Sequence, residues 1–124
     1  MNQRVVKIPG PDHPISLEQS GKTWRAVFRG QTIAQSDDVL VMQEAAYPPV
    51  PYFPRSDVKM DLLTATSHHT YCPYKGEANY FSIEGGSGSG ENAVWSYEQP
   101  YDAVGSIRGR LAFYTTKLDA VEEV

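Results

Sequence analysis

Cysteine is nearly missing from this chain: Cys72 is the only one in 124 residues. A single thiol excludes an internal disulfide, and it excludes the paired Cys-x-x-Cys units common in structural zinc sites. It also favours a reducing compartment. Positive charge is scarce as well, with 11 Lys and Arg against 15 Asp and Glu. Duplex nucleic acid and anionic membranes are bound largely through Lys and Arg, so neither is an expected partner. No apolar run approaches the ~20 residues of a membrane span. Arg4 and Lys7 stand where an apolar signal region would begin. The expectation is a cytoplasmic protein.

What is present is ordinary globular material, 40% hydrophobic and 21% charged, without internal repeats. The length suits one domain over residues 1–124, with a core that needs no staples. Pro9, Pro11 and Pro14 make the entry extended or turning, because proline lacks a backbone donor and restricts the residue before it. Trp24, Ala26 and Phe28 then alternate with Arg25 and Val27, the period-2 mark of a half-buried strand. Gly30-Gln31 turns the chain into a return strand from Thr32 to Gln35, and Val39–Met42 is a short apolar run suited to a buried strand. Prolines 48, 49 and 51 bar a helix, and a brief extended piece follows at Tyr52-Phe53.

One short helix is expected after Pro54, with Ser56 as N-cap and Asp57 in the first turn, ending near Leu63. Residues 64–71 read as a loop or edge strand. Ala78–Ile83, Ala93–Tyr97 and Leu111–Tyr114 read as strands, with a turn or short helix near Tyr101–Val104. About seven short strands with turn punctuation make an antiparallel all-β domain.

Several stretches invite a chemical reading. The glycine-rich run at 85–90 continues into a strand and lacks the Lys-Ser/Thr pair of a phosphate loop, so it reads as a hairpin. His68, His69 and Cys72 are metal-capable, but they fall short of the four ligands of a structural zinc site, and no metal or cofactor is expected. Cys72 has His69 and Lys75 close in sequence, a sensible setting for a nucleophile, although unpaired cysteine is more often buried packing. The candidate site therefore comprises Tyr52, Arg55, His69, Cys72, Tyr74, Lys75, Trp95 and Tyr97. Aromatic walls with a few cationic or hydrogen-bonding groups suit a small anionic or aromatic ligand. Two alternatives stand beside this reading. One is an enzyme with Cys72 as nucleophile, His69 as base and Lys75 stabilising negative charge. The other is a protein-interaction module.

The segment Tyr52-Phe53-Pro54-Arg55-Ser56-Asp57-Val58-Lys59-Met60-Asp61-Leu62-Leu63, with Cys72-Pro73-Tyr74-Lys75-Gly76, Trp95-Ser96-Tyr97 and Leu111-Ala112-Phe113-Tyr114, resembles a bacterial family catalogued as domain of unknown function 427. The opening Pro9-Gly10-Pro11-Asp12-His13-Pro14-Ile15 is similar to the start of its short members. The resemblance implies a β-tent (Mss4-like) fold, two antiparallel sheets pinned at one edge. That architecture also serves zinc-bearing chaperone-like proteins, methionine sulfoxide reductases and a drug-binding domain with an aromatic cage. The zinc-bearing relatives use two Cys-x-x-Cys pairs, which this chain lacks. A nucleotidyltransferase label attached to the family would require paired carboxylates holding metal ions. Asp37-Asp38 is the nearest approach to such a pair.

Overall fold

The computed structural model describes residues 4–84 and 88–124. Ten strands form among these residues: β1 (Ile15–Gln19), β2 (Trp24–Phe28), β3 (Gln31–Ser36), β4 (Leu40–Glu44), β5 (Val50–Tyr52), β6 (Leu63–Cys72), β7 (Gly76–Ile83), β8 (Val94–Ser96), β9 (Ala112–Phe113) and β10 (Ala120–Glu123). They make three antiparallel sheets, ordered β1-β4-β5, β10-β2-β3 and β6-β7-β8-β9. No helix among the described residues is long and apolar enough to cross a membrane.

Local chemistry explains the connections. Arg29 and Gly30 both have positive φ, 48° and 77°, which is the two-residue turn whose twist matches a β-hairpin. Pro51 sits on β5, an outer strand of its sheet, where a missing N–H costs no ladder bond. Beyond β5, Phe53 and Leu111 exchange both backbone hydrogen bonds, at 2.8 and 2.9 Å. That bridge pins the sheet of β5 to the sheet of β9.

The helix expected after Pro54 is replaced by two 3₁₀ turns, Arg55–Asp57 and Met60–Leu62. Ser56 caps neither. Val58 between them is extended and pairs with Ala34 of β3, while the Lys59 N–H donates to Ile33 O at 2.8 Å. Hydrogen bonds to β3 thus outcompete a helix whose costly nucleus so short a segment cannot repay. Asp57 accepts a hydrogen bond from Ser36 Oγ at 2.5 Å instead of serving a helix terminus. Residues 64–71 lie in β6, an edge strand. The turn expected near Tyr101–Val104 is a 3₁₀ segment, Asp102–Ile107. Of the glycine run at 85–90, residues 85–87 lie outside the described residues, and Gly88–Gly90 is a 3₁₀ turn.

Two apolar clusters fill the interior. The first gathers Phe28, Phe53, Phe81 and Phe113 with Ile33, Ile83, Val94 and Leu111. The second holds Tyr52, Tyr80 and Tyr97 with Leu40, Met42, Val104 and Ile107. Strand alternation separates them: Ala78 and Tyr80 of β7 face the second cluster, whereas Phe81 and Ile83 join the first.

Candidate ligand site

A cavity of about 400 Å³ opens beside the second cluster. One wall is the end of β4 and the β4–β5 connection: Met42, Glu44, Tyr47, Pro48, Pro49, Val50, Pro51 and Tyr52. The rest of the lining includes Lys75, Tyr80, Trp95, Tyr97, Phe113 and Tyr114. The rings brace one another. Tyr52 meets Trp95 edge-on at 6.4 Å, Trp95 tilts against Tyr114 at 4.7 Å, and Tyr114 stacks on Tyr80 at 6.3 Å.

An ion pair stands at one side of this cavity. Glu44 follows Met42 by two residues on β4, so alternation aims its carboxylate toward the second cluster. Lys75 Nζ donates to Glu44 Oε1, and His13 Nε2 lies 2.7 Å from Oε2. Glu44 and Lys75 are 14% and 13% exposed, so both charges are largely withdrawn from water. Burial alone would raise the Glu44 pKa, but the bonds from Lys75 and His13 outweigh it and hold the carboxyl below its ordinary range. Since an ionised carboxylate only accepts, the proton in the His13 contact sits on Nε2. The His13 ring stacks on Tyr74 at 4.0 Å, which fixes its plane.

Backbone geometry places Lys75. It precedes Gly76, whose φ of +108° lies in a region side chains disfavour, and its carbonyl accepts from the Tyr101 N–H at 3.1 Å. Burial pushes the Tyr52 and Tyr97 phenols well above their ordinary value, so both remain neutral hydroxyls. Tyr114 is pushed up to about 12 by burial and by its 3.1 Å hydrogen bond with Tyr80.

The chain matches the family model described as Domain of unknown function (DUF427) over residues 16–124. It belongs to that family. No curated protein matches it.

Within this DUF427 domain, four of the eight residues singled out from sequence border the cavity: Tyr52, Lys75, Trp95 and Tyr97. Cys72 is half-buried and packs against the same cluster without bordering the cavity. Tyr74 reaches the site only through His13. Arg55 does not reach it. Its guanidinium bonds Gly109 O at 3.1 Å and Glu98 at 2.8 Å and lies over Phe81, with the first cluster.

His69 is also elsewhere. In the register of β6 on β7, His69 pairs with Asn79 and Cys72 with Gly76, an odd spacing that sends the two side chains to opposite faces. Thr70, which shares the face of Cys72, bonds the Tyr80 hydroxyl at 3.0 Å, while exposed His69 accompanies Glu77 on the other face. The structure therefore does not bring His69 to Cys72. On that other face lies a larger cleft of about 580 Å³, but its charges already satisfy one another: Arg4 bonds Glu77 at 2.6 Å, and Arg55 takes Glu98.

Among the described residues no three His, Cys, Asp or Glu side chains cluster as a metal site would require. Asp38, of the nearest carboxylate pair, is engaged by Gln19 at 2.9 Å and Arg110 at 3.4 Å.

Sequence reasoning did not place Glu44, His13, Tyr80 or Tyr114 in the site. A signal existed for Glu44, since a carboxylate two residues past a buried Met shares its strand face. Nothing local marked His13, whose role depends on the entry segment folding over the end of β4.

Proposed function

We propose that this domain binds a small, flat, aromatic molecule in the cavity between the β4–β5 connection and the β7–β8 ribbon. The observation that carries the reading is the composition of the walls. Tyr52, Tyr80, Trp95, Tyr97, Phe113 and Tyr114 line a space of about 400 Å³. That volume lies in the range of ligand sites, which are mostly apolar with a few placed polar groups. Here Lys75, Glu44 and the tyrosine hydroxyls are those groups. Ring faces give a planar molecule offset-stacking and edge contacts worth about 0.5–1.5 kcal/mol each beyond area burial.

Native mass spectrometry, run on protein mixed with a panel of bicyclic aromatic and aliphatic fragments, tests this. The expectation is one-to-one adducts with the aromatic fragments that are lost in Trp95→Ala. Adducts with aliphatic fragments alone, or aromatic adducts unchanged in that variant, would remove the cavity from consideration.

A further inference from the structure

Hydrogen-bond accounting around the cavity specifies the polar end of the ligand, given the aromatic site proposed above. Both oxygens of Glu44 are engaged, Oε1 by Lys75 and Oε2 by His13. An ammonium has three donors, and Lys75 uses one of them on Glu44. Two N–H groups of a side chain that is only 13% exposed are left over at the cavity edge. Tyr97 is 6% exposed and lines the same cavity. Its hydroxyl makes no hydrogen bond among the described residues, whereas Tyr80 bonds Thr70 and Tyr114, and Tyr52 accepts from Trp95 Nε1 at 3.4 Å. The spare charged capacity on this wall is therefore donor capacity. The Lys75 ammonium, which lies 5.9 Å from the Tyr97 ring centroid, only donates, while the acceptor sites that remain belong to neutral hydroxyls and to a carboxylate already paired.

A cationic ligand finds the opposite of what it needs. The aromatic faces would attract it, but the one carboxylate is already neutralised and the incoming charge would meet Lys75. An acceptor adds to the remaining N–H groups of Lys75 without displacing Glu44, and for a carboxylate the ammonium between the two anions offsets their repulsion.

We infer that the ligand is an aromatic ring bearing a hydrogen-bond acceptor oxygen, carboxylate or carbonyl, seated on the Lys75 ammonium and the Tyr97 hydroxyl. Charge-assisted bonds in a partly dry site are roughly twice as strong as neutral ones, so the Lys75 contact dominates.

Three probes that share one ring system test this by calorimetric titration of the intact chain: naphthoate, naphthamide and naphthylmethylammonium. Naphthoate is expected to bind tightest and naphthamide next, with the ammonium at least about tenfold weaker than naphthoate. Lys75→Met should weaken naphthoate by about tenfold or more, and Tyr97→Phe, which leaves packing intact, by less. The thermal midpoint of each variant shows whether it folds, and Tyr97→Phe keeps the test alive if Lys75→Met does not. Ammonium binding equal to or tighter than naphthoate overturns the acceptor assignment while leaving the aromatic site standing. So does naphthoate binding that neither variant alters. If none of the three binds, the aromatic site itself is wrong and the assignment falls with it.

Discussion

The two interior clusters differ by one hydroxyl per ring. All four phenylalanines of the chain lie in the first cluster, and the three fully packed tyrosines lie in the second. The division is written in three dipeptides. Tyr52-Phe53, Tyr80-Phe81 and Phe113-Tyr114 each sit on extended chain, where neighbours point to opposite faces. Each sends its Phe to the first cluster and its Tyr toward the second. A phenylalanine interior needs no hydrogen-bond partners, even where Phe81 and Phe113 reach the edge of a cavity. A tyrosine interior must satisfy its hydroxyls; Tyr52 and Tyr80 do so within the protein, while Tyr97, on the cavity wall, has no partner among the described residues. One cluster holds the fold together, and the other, in the function proposed above, meets the polar end of a ligand.

If that contrast is right, truncation in the first cluster should hurt most. Phe53 is fully buried, lies edge-on to Phe113 at 5.4 Å, and its backbone pins two sheets. Phe53→Ala is expected to cost about 3–5 kcal/mol in urea unfolding, whereas Tyr52→Phe next to it should cost under about 1 kcal/mol. Equal losses would erase the distinction between the clusters.

The ion pair offers a sharper test through pH. Glu44 is held below its ordinary value of 4.5 when folded. The stabilisation it supplies is therefore complete above 4.5 and is lost as pH falls through the lower, folded value. Glu44→Gln should cost about 2 kcal/mol at neutral pH, since it leaves Lys75 unpaired and largely buried. The same variant should flatten the loss of stability expected of the parent below pH 4.5. A variant with the parent's full acid slope would show that other carboxylates carry it.

The tryptophans divide in the same way. Trp24 packs against the first cluster with its Nε1 buried and unpartnered among the described residues, so Trp24→Phe removes an orphan donor. That relief offsets lost area, and the variant should unfold within about 1 kcal/mol of the parent. The smallest effect belongs to Cys72. Cys72→Ala removes little volume from a half-buried site and should cost about 1 kcal/mol. Iodoacetamide labelling of the folded parent should be slower than that of a model thiol, because no His69 imidazole faces the sulfur. Rapid labelling that His69→Ala slows would contradict the strand register of β6.

Much of this molecule was legible where periodicity is strong. Trp24–Phe28, Val39–Met42 and Ala78–Ile83 declared their strands because alternation or a bounded apolar run is a property of the chain itself. Ala120–Glu123 did not, since its acidic residues suit an edge only once Arg25 stands across from Glu122, a pairing at 2.5 Å over ninety-seven positions. The 3₁₀ turns at Arg55–Asp57 and Met60–Leu62 hid behind good helix signals, because the decisive bonds come from β3. The site was half legible for the same reason. Aromatic residues on strands could be assigned to a wall, but Arg55 and His69 were grouped with Lys75 as one loop-rich region. The 3₁₀ turn of Arg55 instead carries it to Glu98 and Phe81, and the register of β6 turns His69 to the other face. His13 became part of the site only through a contact thirty-one residues away.

The central claim, that the aromatic ligand enters beside the tyrosine cluster and not within the phenylalanine cluster, has two reporters built into the chain, one tryptophan beside each. The indole N–H resonances of Trp95 and Trp24, followed by NMR during addition of naphthoate, read the two regions in one experiment. The account predicts a saturating shift of the Trp95 signal that Lys75→Met weakens, with the Trp24 signal unmoved. A Trp95 signal that stays in place, or a Trp24 signal that moves as far, would contradict it.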